Sequence, residues 1–183
     1  MDGLSIQERL YPGLACFGCG QANAKGLKLQ SYPAADGVIA SFTPWPEHDN
    51  GLGYLNGGII STVLDCHSAA AVILEAEARG WPSLPGAALP YVTAGLDIRY
   101  LRPTPLFETS ELRGRVVEAD EAQMTAEVEL VIDERVRAVA TAVWKRSALR
   151  GAMALSTTFT SSGAKSAKPD SSRGSGAGLL MGG

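Results

Sequence analysis

The clearest pattern in the chain is a period-two alternation of apolar and polar residues in its second half. Every second residue is apolar across residues 123–133, and the alternation resumes across residues 136–145. This alternation is typical of half-buried β-strands, because successive side chains point to opposite faces of a sheet. Residues 133–135 fit a tight hairpin connection. With further strand-like runs at 92–101 and 109–119, the second half is predicted to form four antiparallel strands.

The pattern before these strands predicts one long helix. From Gly58 to about Arg79 apolar residues occupy nearly all faces of a 3.6-residue repeat. A helix of this kind is buried on most sides. Gly80 and Pro82 end it, since glycine favours a helix C-terminus and proline cannot continue the helix.

Two shorter strands are predicted before the helix, at residues 27–32 and 38–43, with a turn at Asp36-Gly37 between them. Near the start of the chain, Ser5 and Glu8 fit the capping box of a short helix. One long helix can bury all its faces only inside a strongly curved sheet. The order of two strands, one helix and four strands therefore predicts an α+β fold.

The composition divides the chain into three predicted regions. Residues 1–26 hold the short helix and a glycine-rich loop, and residues 27–150 hold the main domain. Residues 161–183 are rich in Ser, Gly, Ala and Lys. Such a segment cannot bury enough apolar surface to offset its chain entropy, so we expect a flexible tail.

Composition and charge narrow the classes of function. The 183 residues are 45% hydrophobic and 19% charged, with a net charge of −3 and no basic patch, so we expect no nucleic-acid partner. Acidic residues and a histidine interrupt the long helix, so we expect no membrane span. The chain opens without the pattern of a signal peptide. An odd number of cysteines does not make a disulfide scaffold, and we expect a cytoplasmic protein.

The candidate chemistry begins where the loop enters the long helix. Asn56, a favoured N-cap residue, is followed by Gly57 and Gly58. The first N–H groups of a helix have no internal partner, and the helix dipole is positive at this end. Glycines leave these donors open to a ligand, which suits a polarised carbonyl or an oxyanion. The same segment is also explained by a cap and a close backbone approach alone.

Asp65 stands out because it lies in an otherwise apolar helix, on the same stripe as Gly58. An unpaired buried carboxylate is costly and is therefore a candidate functional group. A solvated or hydrogen-bonded structural aspartate is the alternative. Cys16-x-x-Cys19 is half of a zinc site without a second pair at metal spacing, so we expect a structural turn and no metal. His67 is expected to be a core or interface residue.

These motifs together resemble the PaaI-like branch of the hotdog-fold thioesterases. The resemblance covers roughly residues 15–146 and includes the following residues: Cys16-Phe17-Gly18-Cys19-Gly20, Gly26-Leu27, His48, Gly53, Asn56-Gly57-Gly58, Thr62, Asp65, Thr93, Leu96, Ile98, Tyr100 and Pro103. The resemblance implies a hotdog fold, in which a curved antiparallel sheet wraps one central helix. It also implies a homodimer, or a dimer of dimers, with active sites at the dimer interface.

The resemblance further implies an acyl-CoA thioesterase that needs no cofactor beyond its coenzyme A thioester substrate. Gly57 would polarise the thioester carbonyl, and Asp65 would act as nucleophile or as general base for water. Asn56 stands where the family usually has histidine; it can cap the helix but cannot shuttle a proton. The candidate substrate-binding residues are Gly58, His48, Asn50, Thr62 and Thr93.

Two other functions stay open on this scaffold. The first is a non-catalytic acyl-binding protein, which Asn56 in place of histidine favours and Asp65 disfavours. The second is a hotdog dehydratase, for which His48 is the only candidate partner of the acid.

Overall fold

The computed structural model describes residues 3–85 and 87–147. The helices are α1 (Ile6–Leu10) and α2 (Gly57–Ala78), with a 3₁₀ turn at Pro46–His48. The strands are β1 (Ser31–Ala34), β2 (Gly37–Phe42), β3 (Tyr91–Tyr100), β4 (Ser110–Ala119), β5 (Gln123–Ile132) and β6 (Arg135–Arg146). The predicted tail at 161–183 and the last residues of the predicted main domain, 148–150, lie outside the described residues.

The six strands form one antiparallel sheet in the order β1-β2-β4-β5-β6-β3. The helix α2 contacts all six strands and is buried among them. Along β5, residues from Met124 to Leu130 alternate between buried positions and positions that are more exposed. The inward side chains of the sheet and the apolar faces of α2 therefore share one core, and the predicted α+β hotdog architecture is confirmed.

The length and apolar composition of α2 would suffice to cross a membrane. In the fold, however, ten of its residues are buried against the sheet and its neighbours: Ile60, Val63, Leu64, Cys66, His67, Ser68, Ala70, Ala71, Val72 and Ala76. It is the core helix of the domain. The expectation that this segment does not span a membrane agrees with this position.

The first predicted strand is wrong in its start, because β1 begins at Ser31 and not at Leu27. Lys28 has a φ of 58°, a left-handed conformation that interrupts an extended strand. Leu27 N–H donates to Phe17 O, and Leu29 N–H donates to Gly18 O. Residues 27–30 therefore bond to the glycine-rich loop, and the loop is fixed against the start of the sheet.

His67 links four elements through a buried network. Its Nδ1 lies 2.9 Å from Ser31 Oγ, and its Nε2 lies 3.2 Å from Val38 O. Gln7 Nε2 donates to the same Ser31 hydroxyl. Burial lowers the pKa of His67 to about 4, so the ring is neutral at neutral pH. The expectation that His67 is a core residue is confirmed.

Candidate active site

The N-terminus of α2 is capped by the side chain of Asn56. Its Oδ1 accepts the N–H of Gly58 at 2.8 Å. Among the residues that the structure describes, no acceptor is found for the N–H of Gly57, the first residue of the helix. The two glycines thus differ: Gly58 uses its donor in the cap, while Gly57 keeps a donor at the positive end of the helix dipole.

Two hydroxyl groups lie at the carbonyl of Gly57. Tyr100 Oη donates to Gly57 O at 2.9 Å, and Ser61 Oγ lies 2.8 Å from the same oxygen. The two hydroxyl oxygens are 2.8 Å apart. Because the ring of Tyr100 comes from β3, these contacts tie the first helical residue to that strand. Tyr100 belongs to the motif residues of the sequence, but no role for it was predicted.

His48 supports the loop that leads into the helix. Its ring is buried, with Nδ1 accepting the N–H of Trp45 at 3.1 Å. The ring stacks on Trp45 and Phe42 at centroid distances of 4.9 and 5.9 Å. Burial lowers its pKa, which favours the neutral ring. Its carbonyl accepts the N–H of Asn56 at 2.8 Å. These contacts give His48 a positioning role, and its predicted substrate contact stays a prediction.

Asn50 also shapes this loop. Its Oδ1 accepts the N–H groups of Leu52 at 2.9 Å and Tyr54 at 3.4 Å. Its own N–H donates to Tyr54 O at 2.9 Å. The side chain is exposed but closes the turn within its own chain. The predicted substrate contact of Asn50 stays a prediction.

Asp65 lies two turns along α2 and is half-buried. Thr93 Oγ1, on β3, donates to Asp65 Oδ1 at 2.9 Å. Burial raises the pKa of Asp65, and the bond from Thr93 opposes part of that rise. A carboxylate whose pKa is moved toward neutrality, and whose orientation is fixed by a hydroxyl group, is suited to accept a proton. The fold places Thr93, which was predicted to bind substrate, in contact with Asp65.

Thr62 lies on α2 between Gly57 and Asp65. Its Oγ1 donates to Gly58 O at 2.9 Å, within the helix. A side chain at Gly18 would place its Cβ 2.9 Å from the methyl carbon of Thr62. Thr62 therefore packs under the glycine-rich loop, and its predicted contact with substrate stays a prediction.

The N–H of Gly57 and the carboxylate of Asp65 are well separated within one chain. Gly57 and Asp65 are eight residues apart on α2, which is about 12 Å along the helix axis at 1.5 Å per residue. A cavity of about 630 Å³ lies elsewhere, lined in part by Arg99, Arg113 and Glu127, and neither Gly57 nor Asp65 lines it. The two groups therefore do not converge on one small ligand atom within a single chain.

The three cysteines of the chain lie together beside Asp65. The sulfur atoms of Cys16, Cys19 and Cys66 all lie within 4.8 Å of one another. Hydrogen bonds that Cys16 shares with the thiols of Cys19 and Cys66 hold the pKa of Cys16 below its usual range. The same bonds raise the pKa of Cys19 and Cys66. The sequence indicated only the first pair, because Cys66 is distant along the chain.

The fold and this arrangement define a class: a hotdog domain with a glycine-opened helix N-terminus and a carboxylate on the same helix. The family model of the thioesterase superfamily matches residues 52–139, which contain both features. Over residues 52–139 the chain therefore matches the thioesterase superfamily, as the resemblance of its motifs implied. No match was found among curated proteins.

Solved structures show the same fold. A thioesterase superfamily protein from Shewanella loihica PV-4 is 29% identical, with 69% of this chain and 97% of that chain covered and a TM-score of 0.53. A phenylacetic acid degradation-related protein from Ralstonia eutropha JMP134 is 20% identical, with 77% and 98% covered and a TM-score of 0.59. The PaaI protein of E. coli is 20% identical, with 69% and 84% covered and a TM-score of 0.56. At 20% identity the last two show the fold alone.

Proposed function

We propose that this protein hydrolyses acyl-CoA or related acyl thioesters to a free acid and a thiol. One observation carries the proposal: the same helix has, at Gly57, an N–H that no acceptor in residues 3–85 and 87–147 takes up and, at Asp65, a carboxylate of raised pKa. Thioester hydrolysis needs these two groups, a donor for the carbonyl oxygen and an acceptor for the proton of water. The match to the thioesterase superfamily supports the same class of reaction.

Gly57 supplies the donor. A thioester carbonyl at the start of α2 accepts the Gly57 N–H, while Asn56 occupies the donor of Gly58. As water adds to the carbonyl carbon, negative charge grows on the oxygen. The N–H and the helix dipole then stabilise the transition state more than the ground state.

Asp65 supplies the acceptor. As a general base it takes a proton from the attacking water, and the oxygen of that water bonds to the carbonyl carbon. The tetrahedral intermediate collapses with cleavage of the C–S bond, and the departing thiolate takes up a proton. As a nucleophile, Asp65 would form a mixed anhydride that water then hydrolyses. The hydrogen bond from Thr93 orients the carboxylate in either route.

The separation of these groups favours a site built from two chains. About 12 Å along one helix is too far for Gly57 and Asp65 to act on the same carbonyl. The strand β3, which carries Thr93 and Tyr100, is an edge strand of the sheet. An edge strand is covered when a second copy pairs with it. We therefore infer a homodimer joined along β3, in which Gly57 of one chain faces Asp65 of the other.

A screen of thiol release over acyl-CoA thioesters of varied chain length tests the proposal. Wild type is expected to show saturable turnover, and Asp65→Asn to lower it by roughly a hundredfold or more, the usual scale for a general base. Glu47→Gln, a change of the same kind at an exposed carboxylate, is the matched control and is expected to keep wild-type turnover. Wild-type turnover in a folded Asp65→Asn protein would remove Asp65 from the mechanism.

The second candidate is a non-catalytic acyl-binding protein, which Asn56 favours because an amide cannot shuttle a proton. The same screen separates the two functions. Saturable binding of acyl-CoA without thiol release from any thioester would support the binding protein and contradict the hydrolase.

A further inference from the structure

The sulfur atoms of Cys16, Cys19 and Cys66 have the spacing of a metal site. All three lie within 4.8 Å of one another, and Cys16 Sγ and Cys66 Sγ are 3.7 Å apart. With Zn–S bonds of about 2.3 Å, two ligands of a tetrahedral zinc ion lie about 3.8 Å apart. The observed spacing therefore needs little rearrangement to accommodate one ion.

The loop that carries two of these cysteines turns tightly between them. Gly20 N–H donates to Cys16 O at 3.0 Å, which closes the turn. The sulfur atoms of Cys16 and Cys19 are thereby held within 4.8 Å of each other and of the sulfur of Cys66. The thiolate is the form of cysteine that binds metals.

Glycine is required at two positions of this loop. A Cβ at Gly18 would lie 2.3 Å from Cys66 Sγ, and a Cβ at Gly20 would lie 2.2 Å from Cys16 N. Neither contact is possible for a real side chain. The loop therefore lies directly on Cys66, and the bonds of Leu27 and Leu29 to Phe17 and Gly18 hold it there.

We propose that Cys16, Cys19 and Cys66 bind one Zn²⁺ ion as three thiolate ligands. Cys19 and Cys66 are buried and Cys16 is partly exposed, so the fourth coordination position lies on the side of Cys16 and is filled by water or another small exogenous ligand. Each thiol that is protonated releases its proton to solvent as its Zn–S bond forms. The bound ion links the glycine-rich loop, through Cys16 and Cys19, to Cys66 on α2. The inference does not rest on the proposed thioesterase activity.

Metal titration of the reduced, full-length protein tests this site. After removal of metal with a chelator under anaerobic conditions, Zn²⁺ is titrated in competition with a chromophoric chelator. The expected result is one Zn²⁺ per chain. Co²⁺ in place of Zn²⁺ is expected to give thiolate-to-cobalt charge-transfer absorption and the visible bands of a tetrahedral ion.

Each of Cys16→Ser, Cys19→Ser and Cys66→Ser is expected to weaken Zn²⁺ binding by at least about a hundredfold, because loss of an outer-shell partner alone costs about ten- to a hundredfold. Gly18→Ala keeps all three thiols but displaces Cys66, and is expected to weaken binding as well. The control is Glu47→Gln, which changes an exposed carboxylate outside the cluster and is expected to bind Zn²⁺ like wild type. Circular dichroism of each metal-free variant establishes that it is folded.

Three results would overturn the proposal. The first is the absence of stoichiometric Zn²⁺ binding by the reduced protein. The second is unchanged binding in folded Cys66→Ser or Cys16→Ser protein. The third is a Cys16–Cys66 disulfide in protein alkylated directly from cells, with no Zn²⁺ bound after reduction, which would make the cluster a redox pair.

Discussion

At the scale of single residues, the proposed chemistry depends on how a carboxylate is held in an apolar helix. Asp65 is half-buried, which raises its pKa, and it keeps one strong partner, the hydroxyl group of Thr93 at 2.9 Å. The sequence identified Asp65 because a charge among apolar residues needs a justification. It did not identify the role of Thr93, because only the fold brings β3 beside the second turn of α2.

Replacing Thr93 with valine is expected to lower kcat by about tenfold, the rate equivalent of one hydrogen bond to a charged group. The reason is that the carboxylate loses the donor that orients it, while an exposed strand position accepts valine without strain. Steady-state thiol release from acyl-CoA measures the effect. Thr93→Ser keeps the hydroxyl group and is expected to restore most of the rate. A Thr93→Val protein with wild-type kcat would remove the positioning role of Thr93.

At the scale of elements, the sequence predicts secondary structure well where the periodicity of apolar residues alone determines it. The strands β5 and β6 lie within a residue of their predicted bounds, because alternation sets both their extent and their inward face. Residues 27–30 were predicted as strand, yet Lys28 adopts a positive φ and the segment bonds to the glycine-rich loop. The pairing partner is an irregular glycine-rich loop and not a strand, so the pattern of apolar residues could not indicate it.

The loop before α2 shows the same difference between features that a local sequence signal indicates and features that depend on the fold. The cap by Asn56 was predictable, since an asparagine before two glycines is a local signal. The roles of His48 and Asn50 were not, because each depends on hydrogen bonds formed by the folded loop. For the cysteines, spacing along the chain indicated one pair, and only the fold places Cys66 against it.

Loss of the cap is expected to destabilise α2. Asn56→Ala leaves the N–H of Gly58 without its acceptor and is expected to lower the free energy of unfolding by about 1 kcal/mol. Asn56→Ser supplies another capping oxygen and is expected to lose only a fraction of this. Denaturant unfolding followed by circular dichroism measures both. Equal stability of Asn56→Ala and wild type would contradict the role of the cap.

At the scale of the whole molecule, the proposed homodimer would complete the site with residues from both chains. One chain offers the donor of Gly57 and the acid of Asp65 about 12 Å apart along α2. It also leaves β3 at the edge of the sheet. A two-fold axis beside β3 would give two equivalent sites, each with residues from both chains.

Subunit complementation tests the shared site. Co-expression of Asp65→Asn chains with Gly57→Pro chains is expected to recover about a quarter of wild-type turnover, because half of the dimers are mixed and each mixed dimer has one intact site. The control pairs Asp65→Asn chains with chains that carry both changes, which leaves no intact site. Turnover of the first mixture that stays at the level of the single variants would show that the site does not combine the two chains.

The most direct measurement is kcat for thiol release by Gly57→Pro beside Gly57→Ala. Proline is favoured at the first helical position, and Asn56, at φ −60° and ψ 134°, already has a conformation that a following proline allows. The proline variant should therefore fold while lacking the N–H. Alanine keeps the N–H, and its Cβ would lie 3.4 Å from Tyr100 Oη. We expect the proline variant to lose roughly a hundredfold or more in kcat, as when one oxyanion donor is removed, and the alanine variant to lose much less. Undiminished hydrolysis by folded Gly57→Pro protein would contradict the account.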